Sequence, residues 1–168
     1  MASVANLRGL SGCTSLHADG STLASLYGLG PVQELRLWDC TIENFNGVES
    51  ASITVLDLTH GKCAGLAQIG HIATLQTLKF SSELTSAALL ELPACPQIRA
   101  LEIPGYTGSV AFLSKWNSLE ELDLRHSGKL TDLDALAGLT ALKKIRIRGA
   151  EIKKDSWPAA LKDTLDTK

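Results

Sequence analysis

Apolar and polar residues alternate in a short motif that returns along the whole chain. In Leu119-Glu-Glu-Leu-Asp-Leu124 the fourth and sixth residues are leucines separated by an acid. The same L-x-x-L-x-L spacing occurs at Val32…Leu37, Ile53…Leu58, Leu75…Phe80, Ile98…Ile103 and Leu142…Ile147, with a weaker copy at Cys13…Ala18. Alternation with period two is the pattern of a strand that buries one face. The seven first positions, 13, 32, 53, 75, 98, 119 and 142, span 129 residues in six steps, a mean of 21.5. A repeat of that length predicts a solenoid, in which no unit buries its own apolar face and stacked neighbours build one continuous core.

Between the strands the period changes to three. Apolar residues fall at 23, 26, 29 and 32, at 63, 66, 69, 72 and 75, at 110, 113, 116 and 119, and at 130, 133, 136, 139 and 142. Residues i and i+3 stack on one side of a 3₁₀-helix, so each coil reads as a strand, a turn and a compact return segment. Because every return runs in the same sense, the strands form a parallel sheet about 4.8 Å apart, and seven of them span roughly 30 Å. Two segments differ. Leu84 to Cys95 spaces its apolar residues near 3.6 and predicts a short α-helix, with Ser86 as cap and Pro93 as stop. Residues 153–168 predict a C-terminal cap, a helix started by Ser156 and Pro158 whose Trp157, Leu161 and Leu165 cover the last coil. Residues 1–12, with Val4, Leu7 and Leu10, read as a partial first coil with nothing over it, so the whole of 1–168 is expected to be one domain of about seven coils.

The pairing of Leu119-Glu-Glu-Leu-Asp-Leu124 with Lys129-Leu-Thr-Asp-Leu-Asp-Ala-Leu-Ala-Gly-Leu-Thr-Ala-Leu142 resembles the leucine-rich repeats of bacterial internalins and related proteins. The resemblance runs from Val4 to Ile152. It implies an α/β solenoid, a right-handed leucine-rich-repeat superhelix, whose concave sheet binds another protein. One position departs from the family pattern. Where such repeats place an asparagine ladder, at the ninth residue, this chain has Ser21, Cys40, Gly61, Glu83, Tyr106, Ser127 and Ala150. Only the two serines and the cysteine are expected to hydrogen-bond in its place.

Composition changes the picture little. Hydrophobic residues make up 45% and charged residues 20% of the chain, as in an ordered globular protein. The N-terminus lacks the basic flank and apolar run of a leader, and no run of 18 apolar residues occurs, so neither export nor a membrane partner is expected. Four cysteines without C-x-x-C spacing fit a reducing cytoplasm. Charge is uneven: residues 1–140 carry 8 basic and 14 acidic side chains, while 141–168 carry 8 and 4.

Candidate contacts lie on the outward strand positions. The middle column reads His17, Arg36, Asp57, Lys79, Glu102, Asp123 and Arg146, with signs that mostly alternate from strand to strand. Neighbouring opposite charges are expected to neutralise each other, each pair contributing about 0–1 kcal/mol. The column toward the strand ends reads Asp19, Trp38, Thr59, Ser81, Pro104, Arg125 and Arg148. It contains aromatic and arginine residues, the types enriched at interface hot spots, and Trp38 is its first candidate anchor. The last coil gathers Lys143, Lys144, Arg146, Arg148, Lys153 and Lys154, which makes a polyanion or nucleic acid the runner-up partner, disfavoured because no aromatic is interleaved for stacking.

No reaction is indicated. Asp57, His60 and Cys63 lie close in sequence, but the strand period turns Asp57 outward while Cys63 begins an inward-facing staircase. The histidines at 17, 60, 71 and 126 belong to different coils and cannot converge on a metal. Gly105 and Gly149 follow strands without a phosphate-binding Lys-Ser/Thr, and read as positive-φ turn residues. The expectation is therefore a non-catalytic protein-binding module without cofactor. A structural segment of a larger solenoid, or of one that self-associates through its bare first coil, is the further alternative.

Overall fold

The computed structural model describes all residues except 1–2, 5–6, 8–11, 82–85, 152–155 and 167–168. Each L-x-x-L-x-L copy forms a strand: β2 (Ser15–Asp19), β4 (Glu34–Trp38), β6 (Val55–Leu58), β8 (Thr77–Phe80), β9 (Ala100–Glu102), β11 (Glu121–Asp123) and β13 (Lys144–Arg146). Short strands line one flank: β1 (Ser3–Val4), β3 (Thr22–Leu23), β5 (Thr41–Ile42) and β7 (Lys62–Cys63) form one sheet, and β10 (Gly108–Ser109) pairs with β12 (Leu130–Thr131). The main sheet has eight parallel strands, because β14 (Leu165–Asp166) adds to β13. The chain is thus a solenoid of parallel coils.

The return segments behave as their period requires. Leu66–His71, Ala111–Lys115 and Leu133–Gly138 are 3₁₀-helices that point leucines and isoleucines at the axis. The fourth-position residues Leu35, Leu56, Leu78, Leu122 and Ile145 are completely buried, and the core continues without a break from Leu7 to Leu161. Its bulkiest side chains cluster late in the stack, where Tyr106, Phe112 and Trp116 meet edge to face. Their polar ends are satisfied: the Trp116 indole donates to the Pro93 carbonyl at 3.0 Å and the Tyr106 hydroxyl to that of Ser109 at 2.7 Å.

The short α-helix of the irregular coil is present at Ser86–Leu90 (α1), and part of the segment assigned to it, residues 84–85, lies outside the described residues. The C-terminal segment differs from expectation. Ala159–Thr164 is a 3₁₀-helix preceded by Pro158, with no side-chain cap, and Leu165 belongs to a strand. The physical reason is that Leu165–Asp166 lies along the edge of β13, which offers it backbone hydrogen bonds that a helix would forgo.

Coils are held in register by the backbone. At the eighth residue of every described coil the chain turns through the left-handed region: Gly20, Asp39, His60, Gly105, His126 and Gly149 have φ between 50° and 72°. That conformation aims the amide at the next coil, so Gly20 donates to Trp38, Asp39 to Thr59, Gly105 to Arg125 and His126 to Arg148. The asparagine ladder is replaced piecemeal. Cys40 Sγ donates to the Ala18 carbonyl and Ser21 Oγ to that of Asp19, whereas the Ser127 hydroxyl, fully buried, has no partner among the described residues. Ninth-position carbonyls take over, accepting amides of the following coil in Thr41 to Ser21, Lys62 to Cys40, Gly128 to Tyr106 and Glu151 to Ser127.

Candidate functional site

The pairing register lines up the middle column as the alternation requires: His17, Arg36, Asp57, Lys79, Glu102, Asp123 and Arg146 are successive partners, and Asp166 extends the row. Column neighbours do pair at Lys79 and Glu102, 3.0 Å apart. The other charges choose different partners. Arg36 is forked onto Glu34 two residues back on its own strand, and this donation holds the Glu34 carboxyl below the usual carboxylate range. Arg146 reaches Glu121 at 2.9 Å, and Lys144 reaches Asp166 at 3.5 Å. Sequence reasoning omitted Glu34, Glu121 and Asp166, although the two glutamates stand at outward third positions of their motifs.

Asp57 and Asp123 have a second task. They are only 6% and 1% exposed, and each accepts the amide two residues ahead, Thr59 at 3.1 Å and Arg125 at 3.0 Å. A carboxylate spaced two residues from an amide forms this local turn readily. Thr59 Oγ1 adds a bond at 2.6 Å to Asp57, and the Arg125 guanidinium closes on Asp123 at 2.7 Å. The bond to Asp123 raises the Arg125 pKa further, and the two acids anchor the turns beneath the face.

The outer column carries the exposed large groups. The Trp38 side chain is 37% exposed and stands edge-on against His17, with ring centroids 4.5 Å apart. The indole is therefore braced by the neighbouring strand, which leaves one face open. Arg148 has no ion-pair or hydrogen-bond partner for its guanidinium among the described residues. Half of the basic last coil is paired: Lys143 sits 2.5 Å from Glu120, which lowers the Glu120 pKa, and Lys144 and Arg146 hold Asp166 and Glu121, while Lys153 and Lys154 lie outside the described residues.

The cysteine-containing constellation separates. Asp57 is occupied by Thr59, while Cys63 lies in the flanking sheet, beside a surface depression of ≈ 430 Å³ shared with Thr41, Ile42, Glu43, Lys62 and Ala64. Burial pushes the Cys63 thiol up to about 12 and that of Cys95 up to about 11, far from the thiolate a nucleophile needs. At mildly alkaline pH a maleimide is expected to modify exposed Cys13 in the folded protein well before buried Cys95. Peptide mass spectrometry after timed quenching checks this, and equal labelling rates would contradict the packing described. Among the described residues no three His, Cys, Asp or Glu side chains converge as a metal site, and no helix is long and apolar enough to cross a membrane.

No protein-family model matches the chain, and no curated protein matches it significantly in sequence. Solved structures do match in shape. Internalin C2 from Listeria monocytogenes str. 4b F2365 aligns with a TM-score of 0.56 at 18% identity, over 90% of this chain and 78% of that one. With one parallel strand per coil, 3₁₀ returns and this structural match, the fold of the chain is the leucine-rich-repeat solenoid seen in internalin C2.

Proposed function

We propose that the chain is a non-catalytic recognition module that binds another protein along the concave face of its main sheet. The observation that supports this reading is the outer column, where a braced, partly exposed Trp38 and an Arg148 unpaired among the described residues flank an otherwise self-neutralised sheet. A rigid, preformed surface loses little conformational entropy on docking, and aromatic and arginine anchors supply most of the energy of such contacts. Arg36, Lys79, Glu102, Arg125 and Arg146 present their charges around these anchors, and Asp57 and Asp123 hold the turns beneath them. High thiol pKa values support recognition rather than turnover. A cytoplasmic setting belongs to the same reading and rests on the cysteine usage of the sequence.

A tagged chain, immobilised and challenged with lysate, is expected to retain one stoichiometric protein through a rising salt gradient. The double variant Trp38→Ala, Arg125→Ala should lose it while keeping its circular dichroism spectrum. Undiminished capture by the folded variant would show that another face is used. Release of nucleic acid at moderate salt, with no protein enriched, would transfer the site to the last coil.

A further inference from the structure

The chain contains one Asn-Gly step, Asn46-Gly47, in the turn that leads into the 3₁₀-helix Val48–Ser50. The glycine is imposed there by packing, since a Cβ would strike the Tyr27 backbone. A residue without a side chain also leaves its own amide nitrogen unshielded from the asparagine before it. That nitrogen is the nucleophile of the intramolecular attack that turns an asparagine into a cyclic imide.

Three contacts around the step favour this reaction. The Gly47 amide donates to Glu49 Oε2 at 3.1 Å, within the reach of a general base. Gln68 Nε2 donates to Asn46 Oδ1 at 2.7 Å, the oxygen that gains charge when the side-chain carbonyl is attacked. The sense of that bond is set by the backbone: the Phe45 amide, which can only donate, takes Gln68 Oε1 at 2.8 Å and so turns Gln68 Nε2 toward Asn46. With Oδ1 engaged in this way, Asn46 Nδ2 has no acceptor among the described residues, and the residue is exposed to water. Asp19-Gly20 could close the same ring, but its amide donates at 3.0 Å to the Trp38 carbonyl, which is too weak a base to take the proton.

We propose that Asn46 is a site of self-catalysed deamidation, with Glu49 as the base and Gln68 as the donor to the oxyanion. Gly47 N bonds to Asn46 Cγ as its proton passes to the Glu49 carboxylate. The electron pair of the carbonyl moves onto Oδ1, where Gln68 holds it. On collapse the Cγ–Nδ2 bond breaks, and Nδ2 departs as ammonia with the proton from Glu49, which is a carboxylate again. Water then opens the imide at either carbonyl, giving aspartate or isoaspartate at position 46, with nothing oxidised or reduced. Isoaspartate carries an extra methylene in the main chain where the Asn46 carbonyl accepts the Leu26 amide, so this product loosens one coil from the next. The site lies at the start of a return segment, and its chemistry is independent of recognition on the concave sheet.

Ageing the folded protein at neutral pH in heavy-oxygen water, followed by trypsin digestion and mass spectrometry, tests this. The peptide 37–62, released by cleavage after Arg36 and Lys62, is expected to show amide-to-acid conversion at Asn46 and not at Asn44. The product should carry a solvent oxygen and contain both aspartate and isoaspartate. Glu49→Gln keeps an acceptor for the Gly47 amide but removes the base, and should slow conversion at least about tenfold. Glu49 is exposed, and circular dichroism establishes that the variant is folded. In urea, where the contacts of Glu49 and Gln68 are lost, the unaltered chain should convert more slowly than it does when folded. No conversion at Asn46 would overturn the proposal. So would conversion in urea as fast as in the folded protein, or a rate indifferent to Glu49→Gln.

Discussion

Replacing Leu122 with alanine is expected to lower the unfolding free energy by about 2–5 kcal/mol, as for other leucines whose removal leaves a cavity. Leu122 is completely buried in β11, with Leu101 and Ile145 as its register partners on either side. A solenoid has no distant layer that could move in to fill the gap, because each coil touches only its neighbours. The surrounding coils are also fixed by backbone hydrogen bonds, such as the Glu120 amide to the Arg99 carbonyl at 2.7 Å and the Lys143 amide to the Glu120 carbonyl at 2.8 Å. Urea titration measures the effect directly: the midpoint should fall, and a reduced slope would mean that the stack has split into two cooperative parts. A loss under about 1 kcal/mol would place Leu122 where the coils can collapse freely, contrary to the packing described.

Gly47→Ala is expected to cost about 3 kcal/mol or more, for a reason that concerns the approach of one coil to the next. Gly47 has φ 98°, and a Cβ there would lie 2.6 Å from Tyr27 Cα, 2.8 Å from Tyr27 N and 2.9 Å from the Leu26 carbonyl oxygen. All three atoms are backbone, so no rotamer change relieves the contact. Nor can the two coils part easily, since the Leu26 amide donates to the Asn46 carbonyl at 3.1 Å. Gly20→Ala is the control. Gly20 also has positive φ, but a Cβ there would meet nothing within 4 Å, so only the conformational penalty of about 1 kcal/mol applies. Thermal or chemical denaturation of the two variants separates close approach from backbone strain, and equal losses would refute the argument.

Much of this architecture is legible in the chain because the repeat states each fact several times. Seven motif copies give seven strands, and the period-two alternation puts the middle column in the register that is observed. Gly105 and Gly149 read correctly as left-handed turns. The flanking strands such as β5 and β7 are not legible. Each is two residues long, too short for any period, and exists because the coil before and the coil after offer backbone partners. β14 escapes for the same reason. The charge pairs are only half legible: alternating signs give the column, but whether Arg36 turns to Asp57 or to Glu34 is a choice among rotamers that spacing does not encode. The roles of Asp57 and Asp123 do have a signal, an acid two residues before the turn, which is masked when both are read only as members of an exposed column. Nothing in the sequence names a partner for the proposed face, since the repeat motif encodes the fold and not what the fold binds.

The left-handed eighth residue also sets a limit on how such a surface can diversify. It borders the concave face immediately after the column that holds Trp38, Arg125 and Arg148, and its amide is committed to the following coil. Glycine takes that conformation freely, and asparagine, aspartate and histidine enter it far more readily than β-branched or bulky residues do. The described positions obey that alphabet, with glycine at 20, 105 and 149, aspartate at 39 and histidine at 60 and 126. On the proposed binding surface, new specificity has to be written at the third, fifth and seventh residues of each coil, because the rim beside them has only a handful of letters to spell with.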